Sequence, residues 1–275
     1  SALEEAVKES RAKNGIAIVM DPKTGAVLAL AHYPFFNPNN FGEHARDEWR
    51  NRAITDPFEP GSTMKMFSAA AALESGVSGR HSIFFCENGE YRIGRNIVHD
   101  THPHQWLSLE HIVKFSSNIG AAKLGEVMGP EVLYNTLKNF GFGEQTGIDC
   151  PGETPGMLSP YHRWAKIDAA AISFGQGISV SAIQLITAVS AIANGGLLMK
   201  PFVARAITDK NGALVEKFGP KTVRRVVSSE TARTVASILA TVTTEGGTGA
   251  GAALEGYQFC GKTVTAQKIG ENGTY

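Results

Sequence analysis

This sequence lacks bias. Across 275 residues Lys and Arg number 26 and Asp and Glu number 26, a formal net charge of +0. Bulk attraction to nucleic acid or to an anionic membrane is therefore not written into the composition, and no nucleic-acid partner is expected. Charged residues are scarce at 19% while apolar residues reach 43%, which excludes a disordered or collagen-like chain. No run approaches the ~18 continuous apolar residues of a membrane-spanning helix. Cysteine is rare: Cys86, Cys150 and Cys260 form an odd, widely separated set without a C-x-x-C pair. That argues against a disulfide scaffold or a zinc knuckle, and leaves one bridge plus one spare thiol open. The chain starts at Ser1 rather than Met and has no signal-type apolar segment, as expected of an excised or processed piece.

What is present is enough for one large domain or two modest ones, and a chain this long buries roughly 70–75% of its unfolded surface. Residues 2–13 read as a short surface helix. Gly15–Met20 and Ala26–Ala31 are apolar, partly β-branched runs separated by Asp21-Pro22-Lys23-Thr24-Gly25, which together read as a hairpin. Residues 32–60 are irregular. A helix starts at Pro60-Gly61-Ser62 and ends near Gly76. Residues 108–128 carry two helical stretches interrupted at Ser116-Ser117-Asn118, and Pro130 opens another that ends near Gly141. Residues 141–179 are rich in Gly, Pro and Ser. Val180–Ala193 is a patterned helix; Phe202–Thr208 and Leu214–Phe218 read as a hairpin; a helix covers about 229–243; a last strand runs from about Tyr257 to Ile269. Helical and antiparallel-strand runs are segregated along the chain, so the expected class is α+β. The expected arrangement is an antiparallel sheet with flanking helices, its terminal strands meeting in one sheet, and an all-helical subdomain inserted between them. The sheet lobe would comprise about 1–60 and 196–275, the helical lobe about 61–195.

Three short constellations carry chemistry. Ser62-Thr63-Met64-Lys65 puts a hydroxyl and an amine three residues apart on one helix face, at the helix start where negative charge is favoured. A hydroxyl is a weak nucleophile until a base takes its proton, and a desolvated lysine can serve as that base. Alone, S-x-x-K is commonplace and reads as a first-turn serine beside a surface lysine. Ser116-Ser117-Asn118 breaks a helical pattern and by itself reads as a helix cap, whereas a functional role would make Ser116 a proton relay and Asn118 an amide clamp. Lys262-Thr263-Val264-Thr265 alternates hydroxyls against Lys262 and Val264 on a strand, which could hold an extended peptide and its carboxylate.

Two other patterns do not hold up. Gly256–Thr263 matches G-x-x-x-x-G-K-[ST], but its interior, Tyr-Gln-Phe-Cys, favours strand and no helix start follows, so nucleotide binding is rejected. His99, Asp100, His102 and His104 lack metal-ligand spacing and read as a polar, titratable loop. No metal or cofactor is expected.

In that order, S-x-x-K, S-x-N and K-T-x-T resemble the signature set of penicillin-binding proteins and serine β-lactamases. The surrounding strings widen the likeness: Asp21–Gly25, Phe58-Glu59-Pro60-Gly61-Ser62, Ser117-Asn118-Ile119-Gly120, Phe174-Gly175-Gln176-Gly177 and Glu245-Gly246-Gly247-Thr248. They resemble the transpeptidase domain of class B penicillin-binding proteins, most of all the division-specific, penicillin-binding protein 3 type. The resemblance covers essentially the whole chain and implies the penicillin-binding transpeptidase fold and a serine acyltransferase that crosslinks peptidoglycan stem peptides and is acylated by β-lactams. By it Ser62 attacks a D-Ala-D-Ala carbonyl, Lys65 is general base, and Ser116, supported by Lys262, passes a proton to the leaving amine. Asn118 bonds the substrate amide, and Thr263 and Thr265 meet its carboxylate. The backbone N–H groups of Ser62 and Thr265 form the oxyanion hole.

The resemblance also implies a membrane anchor outside this chain, a site on the periplasmic face of the inner membrane, and cell-wall synthesis or divisome partners. No acidic residue sits in an obvious water-activating motif, which disfavours hydrolysis. A non-catalytic module that binds peptidoglycan or β-lactam is the other reading. One position departs from the family: Val264 stands where the third motif has glycine, and its branched side chain is expected to crowd Ser62 or Lys65 and slow acylation. The family's third motif is followed by further strands and a helix, so the sequence is expected to be a portion of a longer catalytic domain.

Overall fold

A computed structural model describes residues 1–265 of the chain. Helix α1 (Ala2–Glu9) is capped by Ser1, whose hydroxyl accepts from Glu4 N while Glu4 reaches back to the terminal amine. Strands β1 (Gly15–Met20) and β2 (Val27–Tyr33) pair antiparallel with Ala17 opposite Ala31, the expected hairpin. Its turn is built by Asp21, whose carboxylate accepts from Lys23 N at 3.0 Å and Thr24 Oγ1 at 2.7 Å. Gly25 sits at φ +81° with the Lys200 carbonyl where a side chain would be, so only glycine fits.

Helix α2 (Arg52–Thr55) precedes a 3₁₀ turn, Gly61–Thr63, that runs into α3 (Met64–Glu74). Four short strands follow, β3 (Ile83–Phe85), β4 (Glu90–Ile93), β5 (Asn96–His99) and β6 (Trp106–Ser108). Next come α4 (Leu109–Lys114) and α5 (Asn118–Asn139), the latter broken at Gly129 (φ +75°) ahead of Pro130. The chain continues through α6 (Lys166–Ser173), α7 (Ala182–Ala193), β7 (Leu197–Met199), β8 (Ala206–Thr208), β9 (Leu214–Lys217), β10 (Thr222–Arg225) and α8 (Ser229–Val242).

α3 is the buried axis. Every residue from Met64 to Ala72 is shielded, and the small Ala69–Ala72 stretch lets α5 and α8 approach closely. Phe67 lies edge-on between Phe140 and Phe142, at 4.9 and 5.0 Å, in the cluster that α5, α7 and α8 complete. A second cluster joins the small strands to the start of α5, and a third joins β1 and β2 to α2 and α7.

The α+β segregation is borne out, with three corrections. The inserted region is not all-helical: β3 pairs with β6, and β4 with β5. These runs of three or four residues are too short to show a period of two, although Gly94-Arg95 is a tight turn by composition, with Gly94 at φ +61°. The expected single antiparallel sheet is instead five two-stranded ladders among the described residues, β7 with β10 and β8 with β9 being the last two. The strand expected over 257–269 is absent from 257–265, and its remainder lies outside the described residues. β propensity alone makes no strand where no ladder partner stands beside it. Here Thr243 Oγ1 bonds Phe259 O at 2.7 Å and Gly261 N bonds Leu239 O at 3.3 Å, tying the segment to α8. α6 was hidden in the Gly/Pro-rich stretch; its signal was Asp168, which accepts from Ala165 N at 2.7 Å, followed by Ala169–Ala171.

Candidate active site

The turn that carries Ser62 is clamped from behind. Gly61 N donates to Gly175 O at 3.1 Å, and Phe58 and Val180 exchange two backbone hydrogen bonds of 2.9 Å. Gly175 has φ +91° and its missing side chain would occupy the Gly61 carbonyl, so the close approach depends on glycine. Glu59 Oε1 accepts from Gly177 N at 2.9 Å, and Ser68 Oγ donates to Ser173 O at 2.8 Å one turn further along α3. The end of α6 and residues 174–180 thus hold the start of α3 in place.

Lys65, one turn beyond Ser62, is 1% exposed rather than the surface lysine its local sequence suggests. Its Nζ lies 2.8 Å from Ser62 Oγ, 2.7 Å from Ser116 O, 3.1 Å from Ser116 Oγ and 2.7 Å from Asn118 Oδ1. Burial, reinforced by the charge of Lys262 and opposed by Asp100, lowers its pKa to about 7. The acceptors decide how the neutral amine is oriented. Ser116 O and Asn118 Oδ1 can only accept, so they take its two N–H groups. The lone pair is then free for the Ser62 O–H. An amine so held can take the serine's proton without rearranging.

The S-x-N tripeptide joins α4 to α5. Ser116 adopts φ +61°, uncommon for a residue with a side chain, and this turns both its carbonyl and its hydroxyl toward Lys65. Ser117 caps α5 by accepting from Gly120 N at 2.8 Å. Asn118 is fixed at both ends of its amide: Oδ1 faces Lys65, and Nδ2 donates to His99 O at 3.0 Å. One N–H of Nδ2 remains for a ligand.

Lys262 comes from the C-terminal segment. Its Nζ donates to Ser116 Oγ at 2.9 Å and to Thr263 O at 2.9 Å, and burial lowers its pKa to about 8. Thr263 Oγ1 donates to Thr248 Oγ1 at 2.7 Å. Thr263, Val264 and Thr265 are exposed. Five of the expected side chains, Ser62, Lys65, Ser116, Asn118 and Lys262, therefore form one connected hydrogen-bond network. Thr263 adjoins it through Lys262.

Sequence reasoning missed Asp100. Its carboxylate accepts from Ser117 Oγ at 2.5 Å, Asn118 N at 2.5 Å and Ile119 N at 3.1 Å. Nothing local marks an aspartate as the partner of groups seventeen to nineteen residues away. Nor does any local pattern mark Thr248 as the partner of Thr263. His104, on the same loop as Asp100, stacks on Phe115 with ring centroids 5.3 Å apart. Among the described residues no group of three or more His, Cys, Asp or Glu could hold a metal ion, and Cys86, Cys150 and Cys260 are free thiols. Nor is any described helix long and apolar enough to cross a membrane.

A helix-borne serine and buried lysine, facing an S-x-N turn and a C-terminal lysine, define the active-site class of the penicillin-recognising serine acyltransferases. The penicillin-binding protein transpeptidase domain family matches residues 15–275, and the chain belongs to it. It is 37% identical over 274 residues to the probable peptidoglycan D,D-transpeptidase PenA of Neisseria flavescens, covering 99% of this chain and 65% of that protein. Identity to the peptidoglycan D,D-transpeptidase FtsI of Escherichia coli is 34%, over 99% of this chain and 44% of that one. The fold superimposes on penicillin-binding protein 3 of Mycobacterium tuberculosis complexed with aztreonam at a TM-score of 0.91 and 36% identity, covering 99% of this chain and 63% of the other. The chain thus spans about two thirds or less of the length of these curated relatives.

Proposed function

We propose that the chain is the catalytic part of a serine-type peptidoglycan D,D-transpeptidase. The observation that carries this reading is the buried Lys65 amine, 2.8 Å from Ser62 Oγ, with a pKa lowered to about 7. Neutral Lys65 accepts the Ser62 proton as Oγ bonds to the penultimate D-Ala carbonyl carbon of a stem peptide, and the carbonyl π electrons move onto oxygen. The backbone N–H groups of Ser62 and Thr265 are the proposed donors to that oxyanion. Ser116, within reach of both lysines, relays the proton from Lys65 to the departing D-Ala nitrogen as the C–N bond breaks. The amine of a neighbouring stem then forms a C–N bond to the ester carbon as the bond to Ser62 Oγ breaks, and the proton that the amine loses returns to Oγ along the same path. Asn118 bonds the substrate amide. Thr263, Thr265 and the charge of Lys262 receive the terminal carboxylate, or the carboxylate of a β-lactam.

Val264 places a branched side chain where the family pattern has glycine, and slower acylation is the proposed consequence. The resemblance to the penicillin-binding protein 3 type extends the proposal to septal cell-wall synthesis on the periplasmic face of the inner membrane, with an anchor and divisome or cell-wall synthesis partners engaged elsewhere in the protein. The decisive test is mass spectrometry after treatment with a labelled penicillin. A stable adduct on a peptide containing Ser62, absent from Ser62→Ala, is expected. No adduct would favour a non-catalytic binding module, and an adduct lost within seconds would favour a hydrolase.

A further inference from the structure

The polar loop between β5 and β6 sends one carboxylate to the start of α5, beside the site. Asp100 is half-buried, and its own backbone N–H is tied to Gly89 O at 3.2 Å, so the β4–β5 ladder sets its position. Gly89 permits this because it takes φ +99° with Pro103 packed where a side chain would point. From there one oxygen accepts both Asn118 N and Ile119 N, and the other accepts the Ser117 hydroxyl. The neighbouring His99 carbonyl takes Asn118 Nδ2. The dipeptide His99-Asp100 therefore grips the start of α5 at four points, where free N–H groups and the positive helix end favour a negative charge.

We propose that Asp100 is a positioning residue of this active site, holding Asn118 in register with Lys65 and supplying the negative charge that faces Lys65. The inference rests on the proposed reaction only in its kinetic arm. The groups facing Lys65 are Ser62, Ser116, Asn118, the cation Lys262 and the anion Asp100. Behind Ser117 lies Cys86, whose thiol pKa is raised first by burial and further by Asp100, and Lys123, paired with Glu87 at 2.7 Å, faces the same thiol. With two lysines at the reaction centre and Asp100 the acid acting on Lys65, removing its charge leaves the ammonium of Lys65 harder to form.

Asp100→Asn separates charge from shape. The amide oxygen can keep the two backbone N–H groups, and the amide nitrogen can donate to Ser117 Oγ, which already accepts from Gly120 N. The test follows Lys65 directly, by NMR of protein labelled with ¹³C-lysine, the Lys65 signal identified by its loss in Lys65→Arg. In the unaltered protein Lys65 is expected to titrate near pH 7, and in Asp100→Asn at a lower pH. Asp100→Glu restores the charge and should move the titration back, whereas Ser117→Ala, which removes a cap but no charge, should leave it in place. The acid limb of Ser62 acylation by penicillin should shift in parallel. An unmoved titration in Asp100→Asn, or an equal shift in Ser117→Ala, overturns the proposal. Absence of any acylation in the unaltered protein would instead defeat the proposed reaction, while the lysine titration still decides this inference.

Discussion

The proposed active site has two halves of different construction. Ser62, Lys65, Ser116 and Asn118 sit on helix starts packed into the core and are locked by hydrogen bonds from residues 99–100 and 173–180. Lys262–Thr265 sits outside any ladder, with Thr263, Val264 and Thr265 exposed, and reaches the rest through Lys262, Thr263 and the anchoring of 259–261 to α8. The first half can be arranged before substrate arrives, because its groups are held by packing that binding does not alter. The second makes contacts that a bound carboxylate would complete. Chemistry should therefore be brittle toward changes in the first half and graded toward changes in the second.

The sharpest test of that contrast is Lys65→Ala. Without an acceptor for the Ser62 proton, the acylation rate by a labelled penicillin should fall by about 10³-fold or more at pH 7.5. Rates within tenfold of the unaltered chain would mean that another group serves as base. Next is Gly175→Ala, which adds a single methyl against the Gly61 backbone. It must displace the Gly61 carbonyl or force residue 175 out of φ +91°, and neither can be absorbed by a flexible side chain. A displaced serine turn should cost about 10²-fold in acylation, with a folded protein by circular dichroism. If the rate survives, the first half is not as rigidly held as its backbone contacts imply.

The pH profile compares the halves in one experiment. In the proposed reaction Lys65 must be neutral to act as base, so activity should rise as pH increases through about 7. In the same proposed reaction Lys262 must be charged to support the carboxylate and the relay, so activity should fall as pH increases through about 8. A narrow bell between these limbs is expected, its two values belonging to the coupled pair. Lys262→Ala should abolish the alkaline limb and lower the maximum by about tenfold, the loss of a charge-assisted hydrogen bond. An alkaline limb that persists in Lys262→Ala would assign it elsewhere.

How much of this could be read from the residues alone depends on the range over which each feature is determined. Ser62 and Lys65 are one helical turn apart, so their proximity follows from spacing; so do the hairpin at Asp21–Gly25 and the breaks at 116–118 and 129–130. The burial of Lys65 does not follow, because it is produced by α5 and the S-x-N turn closing over α3. Asp100 was invisible as a partner of α5 for the same reason. The last strand failed in the opposite direction: Tyr257–Thr265 has strand composition, but a strand is a relation between two segments, and none pairs with it among the described residues.

Val264→Gly should produce the smallest change and is the finest probe of the comparison. Val264 belongs to the graded half and is 50% exposed, so its side chain can turn toward solvent at little cost in packing. Its branched side chain still stiffens the backbone between Thr263, whose hydroxyl bonds Thr248, and Thr265, the proposed oxyanion donor. Replacing it with glycine frees that backbone to approach a ligand lying along it. The expected result is a second-order acylation rate higher by about five-fold, worth roughly 1 kcal/mol, with the acid limb near pH 7 unmoved because Lys65 is untouched. Equal rates would show that the exposed segment already adapts around the valine. A shifted acid limb would show instead that Val264 presses on Lys65, and that the two halves are mechanically one.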